Sequence, residues 1–218
     1  MLCVLPANAA DMPVKAPALV PAVWSWNGFY VGVNGGYGWS RSNLQEAGGF
    51  NSGNFQGTGG LVGATFGWNW QAPRSQWVLG IEGDIDWANI KGGIPTVTSN
   101  CFTPDCHDNI RWLSTVRGRA GYAIGSLLPF VTAGAAIGSV YGQEGTPPGT
   151  GGSGTVTTLG WTAGGGLEAA LGGAWSVKGE YLYVDLGRHT YFTQGAPFGA
   201  TSISVRANIL RLGVNYRF

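Results

Sequence analysis

The sequence contains little charge. Of its 218 residues, 12 are Lys or Arg and 11 are Asp or Glu, so charged residues make up 11% of the chain, against about 25% in an ordinary soluble domain. The net charge of +1 excludes a nucleic-acid-binding protein, because phosphate recognition requires a dense basic surface. A soluble domain of this size would also need more charge to cover its surface. We therefore expect a membrane protein.

Long apolar runs are absent as well. A membrane-spanning helix requires about 20 consecutive apolar residues, and Gly, Asn, Asp, Arg or Pro interrupts every window of that length. The other backbone arrangement that satisfies its hydrogen bonds inside lipid is a closed β-barrel. Its strands appear in a sequence as segments of about 10 residues in which apolar and polar side chains alternate.

Alternation of this kind is present throughout the chain after residue 27, in a sequence with 39 Gly, 10 Trp and 44% hydrophobic residues. Strict alternation indicates strands and not helices. It predicts an all-β protein, an eight-stranded antiparallel up-and-down transmembrane β-barrel. The eight segments are Gly28–Ser40, Thr58–Gln71, Gln76–Lys91, Asn109–Ile124, Leu127–Tyr141, Thr155–Leu171, Ala174–Gly187 and Ser202–Phe218.

The connections between these segments alternate in length, as in outer-membrane barrels with periplasmic turns and extracellular loops. Both chain termini are then expected in the periplasm. We predict short turns at Ala72–Ser75, Gly125–Ser126 and Gly172–Gly173, and long loops at Ser42–Gly57, Gly92–Asp108, Gly142–Gly154 and His189–Thr201.

The apolar positions of each segment are predicted to face lipid. In the fourth segment Ile110 and Trp112 share this face and Arg111 opposes them, whereas in the eighth the pattern switches to Ile203 and Val205, which predicts a β-bulge. Aromatic side chains concentrate at the segment ends, as expected for belts at the two lipid–water interfaces. The predicted belts contain Phe29, Trp39, Trp68, Trp70, Trp77, Trp87, Trp112, Tyr122, Trp161, Trp175 and Tyr183.

The polar positions carry charges of both signs and are predicted to face the lumen. An eight-stranded barrel is only wide enough for side chains, and unpaired charges there would be costly. Strand register predicts the pairs Glu82–Arg117, Glu168–Lys178 and Glu180–Arg211. We expect a packed polar plug; a gate or a narrow solute path is the alternative. The predicted network contains Glu82, Asp84, Arg117, Arg119, Glu168, Lys178, Glu180 and Arg211.

The N-terminal part of the chain differs from the barrel segments. Ala7-Asn8-Ala9 has the small-x-small pattern of a signal-peptidase site, so residues 1–9 are predicted to be the remnant of a signal peptide. Residues 10–27 contain several prolines and are predicted to form an extended periplasmic leader. Residues 28–218 form the predicted outer-membrane barrel.

Few residues offer other chemistry. Cys101 and Cys106 flank a proline-containing loop and are predicted to form a disulfide in an oxidising compartment; a zinc site with the adjacent His107 is the alternative, although the ligands are too few. We predict neither a bound metal nor a cofactor. The best candidate for a lipid-modifying site is His189 with Thr190 beside Asp185.

Several stretches resemble the alphaproteobacterial outer-membrane immunogenic proteins, a family of porin-like surface antigens: WSWNGFYVGVNGGYGWS from Trp24, WSVKGEYLYVDLG from Trp175 and LRLGVNYRF from Leu210. The resemblance implies an eight-stranded barrel of the OmpA membrane-domain type. It also implies that the barrel-assembly machinery reads the terminal strand through Leu212, Val214, Tyr216 and Phe218. The Cys101/Cys106 pair departs from the family's core pattern.

Three functions are therefore open. We expect a non-enzymatic outer-membrane protein with a structural and surface-antigen role, in contact with outer-membrane lipids. The alternatives are a small channel for ions or solutes and a barrel enzyme that acts on lipid. Because eight strands close on themselves, the protein is expected to be a monomer.

Overall fold

Eight antiparallel β-strands form a closed barrel in the computed structural model, with each strand paired to its neighbours in chain order and the last paired to the first. This confirms the predicted fold. The structure describes residues 24–46, 51–94, 106–144, 153–192 and 201–218, with side chains for 24–43, 56–93, 109–141, 155–188, 202 and 204–218. No helix in these ranges is long and apolar enough to span a membrane. The strands are β1 (Gly28–Glu46), β2 (Asn51–Gln71), β3 (Trp77–Ile94), β4 (Cys106–Tyr122), β5 (Leu127–Glu144), β6 (Ser153–Gly172), β7 (Trp175–Phe192) and β8 (Thr201–Arg217).

One end of the barrel, called the turn end below, carries the three short connections together with the start of β1 and the end of β8. Gly125, Gly172 and Gly173 adopt positive φ angles of 61°, 106° and 59° in these turns, a conformation that glycine reaches without strain. The opposite end, called the loop end, carries the other four connections, residues 47–50, 95–105, 145–152 and 193–200. The first is only four residues long, so the prediction of a long loop at Ser42–Gly57 is wrong.

The strands extend further toward the loop end than the alternation predicts. Arg41 of β1 still pairs with Gln56 of β2, inside a predicted loop. The shortest strands have 17 residues, whereas about 9–11 suffice to cross lipid. On β1 the pairing continues beyond Trp39 into a stretch that is polar on both faces, Ser40, Arg41, Ser42 and Asn43, so the alternation of apolar and polar residues disappears there.

The outer surface is apolar through the middle of the barrel, the orientation of a barrel that faces lipid. Phe66 covers the outward-facing Gly83, whose missing side chain leaves room for the ring. Large outward-facing apolar side chains that are at least 45% exposed include Val33, Val62, Phe66, Ile81, Ile85, Val116, Val131, Leu159, Leu167, Leu210 and Leu212.

The predicted faces of β4 are wrong above Trp112. The pairing of β4 with β5 shifts between Ile110 and Trp112, so this β-bulge reverses the alternation. Ile110 lies inside with 2% exposure. Arg111 lies outside, with its guanidinium carbon 4.4 Å from the centre of the Tyr141 ring.

The predicted bulge in β8 is absent. Pairing of β8 with β1 is continuous from Arg217 to Thr201, and the alternation does not switch. Val205, Ala207 and Ile209 are all buried inside the barrel. The apolar residues that suggested a bulge instead mark a part of the lumen that is itself apolar.

Candidate functional site

The lumen is the candidate site, because its inward-facing side chains carry most of the buried charge. An ionic layer occupies the half of the lumen nearer the turn end. Its members have relative exposures between 0% and 4%, so each charge depends on other side chains for compensation. The layer consists of Glu82, Asp84, Asp86, Arg117, Arg119, Glu168, Lys178, Glu180 and Arg211.

Arg117 joins three carboxylates from two sides of the lumen. Its Nη2 donates to Glu82 Oε1 at 2.6 Å and to Asp84 Oδ2 at 2.7 Å, and its Nη1 donates to Glu180 Oε2 at 2.9 Å. Glu82 lies directly opposite Arg117 in the β3–β4 register. Glu180 belongs to β7, so the same guanidinium also connects strands across the barrel.

Arg211 makes a second cross-lumen connection. It donates from Nε to Glu180 Oε1 at 2.7 Å, from Nη1 to Asp86 Oδ2 at 2.6 Å and from Nη2 to Asp84 Oδ2 at 2.8 Å. Glu180 and Arg211 are register partners on β7 and β8. Every nitrogen of this guanidinium therefore faces a carboxylate.

Lys178 and Glu168 are register partners, but their charges have different partners from those the sequence predicts. Lys178 Nζ lies 2.7 Å from Glu82 Oε2 and 3.2 Å from Glu180 Oε1. Glu168 instead accepts from Arg119 Nη2 at 2.8 Å. The lysine points across the lumen because two carboxylates converge there.

Neutral polar groups complete the ionic layer, and the predicted network missed them. Tyr30 Oη donates to Glu82 Oε2 at 2.7 Å and accepts from Arg119 Nη1 at 3.1 Å. Thr115 donates to Asp84 at 2.7 Å. Glu168 Oε1 accepts from Ser176 at 2.6 Å and from Asn215 at 3.0 Å. Asp86 is also missing from the predicted network. It lies on the polar face of its segment, and this alternation is the sequence signal that could have identified it.

An apolar layer fills the lumen on the loop-end side of the charges, where a purely polar plug was predicted. That prediction is wrong for this half. Asp86 and nine apolar side chains surround a cavity of about 10 Å³, which is about the space that one water molecule needs. The layer consists of Leu61, Ile90, Ile110, Leu113, Ala136, Val140, Leu182, Val184, Leu186, Val205, Ala207 and Ile209.

Trp26 closes the turn end of the lumen. It is fully buried and packs with Val78, Ala123 and Leu128, and its backbone NH donates to Gln71 Oε1 at 3.0 Å. The guanidinium carbon of Arg217 lies 4.9 Å from the centre of the Trp26 ring. Trp26 therefore packs as part of the barrel, although the alternation placed it in the leader.

The predicted belt residues all lie on the outer face, in two groups. Near the turn end, Trp77 and Tyr122 have ring centres 5.4 Å apart, as part of a group with Phe29, Trp68, Trp70 and Trp175. Toward the loop end, Trp161 and Tyr183 have ring centres 5.4 Å apart, and Trp87 is the register partner of Trp112. Trp39 lies in the second group, 6.4 Å from Tyr181. The residues of the predicted assembly signal, Leu212, Val214, Tyr216 and Phe218, project outward from β8 with exposures of 68%, 39%, 38% and 76%.

The remaining chemical candidates gain no support as sites. Asp185 accepts from the Gly187 backbone NH at 2.8 Å and from Arg206 Nε at 3.2 Å, so its carboxylate is already engaged. The side chains of His189 and Thr190 lie outside the described residues, as do Cys101 and the side chains of Cys106 and His107. Within the described part of the chain, no group of His, Cys, Asp and Glu could hold a metal. The disulfide stays a prediction.

Comparison with known proteins identifies relatives of this barrel. Residues 4–218 match the family described as outer membrane protein beta-barrel domain. The 31 kDa outer-membrane immunogenic protein of Brucella melitensis is 33% identical over 97% of this chain and 93% of its own length. The 22 kDa outer membrane protein of Rhizobium leguminosarum is 30% identical over 96% of this chain and 83% of its own length.

A solved structure shares the fold. The outer membrane protein OprG of Pseudomonas aeruginosa superposes with a TM-score of 0.57, at 13% sequence identity, over 88% of this chain and 97% of its own. At this identity the likeness concerns the barrel architecture alone. The sequence relatives, in contrast, confirm the resemblance drawn from the motifs.

Proposed function

Because this chain belongs to the outer membrane protein β-barrel family, we propose that it is a non-conducting, non-enzymatic surface protein of the outer membrane. Its role in this proposal is to strengthen the envelope and to present the connections at the loop end to the exterior. Relatives named as immunogenic outer-membrane proteins support the surface role. The observation that carries the proposal is the filled lumen.

Three closures lie in series along the lumen. From the turn end they are Trp26, the ionic layer and the apolar layer. An ion that crossed would have to separate carboxylates from guanidiniums at 2.6–2.9 Å and then enter an apolar space large enough for about one water molecule. Leaving buried charges without partners costs several kcal/mol each, and hydrophobic constrictions block conduction by excluding water.

The orientation that we propose places the loop end outside the cell and the turn end in the periplasm. Outer-membrane barrels have short periplasmic turns and longer extracellular connections. The two aromatic groups on the outer face would then contact the lipid–water interfaces of the two leaflets. Because β8 pairs along its whole length with Tyr30–Glu46 of β1, the barrel leaves no open edge, and we propose that it functions as a monomer.

Insertion would use the barrel-assembly machinery as its partner. Outward and inward side chains alternate strictly from Leu210 to Phe218, and the exposed aromatic residue Phe218 directly follows the last residue of β8. We propose that this apolar face is what the machinery recognises before β8 pairs with β1.

Conductance in planar lipid bilayers tests the closed lumen. The purified, refolded protein is expected to give no discrete current steps, whereas a general porin reconstituted by the same procedure does. Heat-modifiable migration on a denaturing gel confirms beforehand that the sample contains folded barrel. Reproducible steps from the folded form would overturn the proposal and establish the channel alternative.

Surface labelling tests the orientation separately. A short epitope inserted between residues 145 and 152 is expected to bind antibody on intact cells. The same epitope inserted at Gly172–Gly173 is expected to bind only after the outer membrane is permeabilised. The opposite pattern would reverse the orientation and leave the closed lumen unaffected.

A further inference from the structure

A basic groove lies on the outer face of the barrel, across β1, β8 and β7. It has a volume of about 500 Å³, and its described lining holds three arginines and no carboxylate. The arginines are Arg41, Arg188 and Arg206, and Tyr183, Ser204 and Asn208 add hydroxyl and amide groups. The lumen and its charges lie on the other side of these strands, so the groove is independent of the ionic layer.

Two of the arginines face each other directly. Arg41 on β1 is the register partner of Arg206 on β8, and both side chains are exposed on the same face. Directly opposed like charges on neighbouring strands destabilise a sheet. Asp185 pairs with Arg206 at 3.2 Å, which compensates one of the charges in the cluster. An anion held between the strands would compensate the excess that remains.

The third arginine reaches this face through a bulge. Residues at odd positions of β7 face outward up to Asp185, so an unbroken alternation would turn Arg188 into the lumen. The register shifts between Asp185 and Arg188, where Gly187 adopts a φ of 73° and Asp185 accepts its backbone NH. Arg188 consequently lies outside, with Nε 3.4 Å from Ser204 Oγ.

The groove lies just beyond the aromatic group at the loop end. Trp39 precedes Arg41 by two residues on β1, and Tyr183 precedes Asp185 by two residues on β7. Two residues of a tilted strand advance about 5 Å along the barrel axis. If the rings mark the edge of the hydrocarbon region, the guanidiniums lie at the depth of lipid headgroups.

We propose that this groove binds the phosphate of an anionic lipid in the leaflet at the loop end. Guanidinium groups bind phosphate through two parallel hydrogen bonds, and the depth of the groove suits a headgroup better than a free ion or a protein. Under the proposed orientation, on which this inference rests, the lipid belongs to the outer leaflet. Phosphorylated glycolipid is the class that fits a groove lined by three guanidiniums.

Native mass spectrometry in neutral detergent tests the groove with lipid A as the probe. The double variant Arg41→Gln/Arg206→Gln is compared with Lys91→Gln/Arg111→Gln, which removes two exposed cations from other strands. The groove variant is expected to bind lipid A at least tenfold more weakly than the wild type, and the control variant within about twofold. Lipid A without phosphates is expected to bind the wild type as weakly as it binds the groove variant.

Several outcomes would contradict the proposal that this groove binds a lipid phosphate. Equal weakening in both variants would mean diffuse attraction to the rim, and no weakening in the groove variant would mean that Arg41 and Arg206 take no part. Displacement of lipid A by equimolar inorganic phosphate would assign the groove to a soluble anion. Heat-modifiable migration of both variants verifies the fold, and because no measurement here uses conductance or cell labelling, failure of the groove leaves the proposed function intact.

Discussion

Glu82 and Arg117 lie directly opposite each other on β3 and β4, and Glu82 Oε1 accepts a hydrogen bond of 2.6 Å from Arg117 Nη2 inside the closed lumen. Each member of this pair also has an ionic partner on another strand. Lys178 reaches Glu82 from β7 at 2.7 Å, and Glu180 reaches Arg117 from the same strand at 2.9 Å. The register of one hairpin is thereby tied to strands on the far side of the barrel.

Removal of Arg117 is expected to destabilise the barrel strongly. The Arg117→Ala variant leaves the carboxylates of Glu82, Asp84 and Glu180 with fewer compensating charges, and breaking a buried ion pair from one side costs about 3–5 kcal/mol. Urea unfolding in lipid vesicles measures the loss. Arg111→Ala, which removes an exposed guanidinium from the same strand, is expected to cost less than about 1 kcal/mol. Equal losses would mean that the buried network contributes nothing beyond surface charge.

Replacing Gly36 by alanine is expected to destabilise the barrel where β1 pairs with β8, called the seam below. A Cβ on Gly36 would lie 2.4 Å from the Leu210 carbonyl oxygen and 2.8 Å from Arg211 Cα, so Gly36→Ala must separate the backbones. Overpacking typically costs about 1–3 kcal/mol.

The adjacent Gly35 provides the matched control for the seam. A Cβ there would approach no described atom more closely than 3.8 Å, and an interior glycine costs about 0.5–1 kcal/mol relative to alanine. Gly35→Ala is therefore expected to leave the barrel equally or slightly more stable. The urea-unfolding midpoints of the two variants test this difference. A Gly36→Ala variant as stable as Gly35→Ala would show that the β1 and β8 backbones accommodate the methyl group without loss of stability.

The alternation of the sequence predicts the part of the barrel that faces lipid, because there the two faces of each strand meet different surroundings. It also predicts the partnership of Glu82 with Arg117, since hairpin register follows from the centre of the connection. Near the loop end the two faces of a strand no longer differ in polarity, so the alternation cannot assign them. Leu182 and Val184 lie inside while Tyr181 and Tyr183 lie outside, and a strand that is apolar on both faces shows no period of two.

The ion-pair partners that are distant in sequence could not be predicted, for a different reason. Lys178 and Glu82 are 96 positions apart, and their contact depends on barrel closure and on which charges converge in the lumen. The β-bulges at Arg111 and Gly187 were not predicted either. A single extra residue in a strand reverses which face of the sheet each later side chain occupies. Gly187 was visible as a glycine, but many other glycines in this chain lie in regular strands.

Trp26 is expected to stabilise the turn end of the barrel. Its side chain is fully buried, whereas Trp68 is 41% exposed on the outer face. Trp26→Ala is expected to cost about 3–5 kcal/mol, the usual result of truncating a large buried aromatic residue. Urea unfolding measures this cost, with Trp68→Ala as the control. A smaller loss from Trp26→Ala than from Trp68→Ala would mean that the residue is a removable lid and not part of the core.

Closures in series predict a specific pattern of conductance. Replacing Glu180 and Arg211 by Ser removes an ion pair of the ionic layer without a change in net charge, and Leu182→Ser/Leu186→Ser makes the apolar layer polar. Each double variant is expected to remain silent in planar bilayers, because the other layer still blocks ions. The quadruple variant that also carries Trp26→Ala is expected to give discrete current steps, since all three closures are then removed and water can enter the lumen. Leu167→Ser/Leu212→Ser, which changes two outward-facing leucines, is the control and is expected to stay silent. Current steps from either inward double variant alone would mean that the remaining closures are no barrier to ions. A folded variant that lacks all three closures and gives no steps would mean that the block lies elsewhere in the lumen.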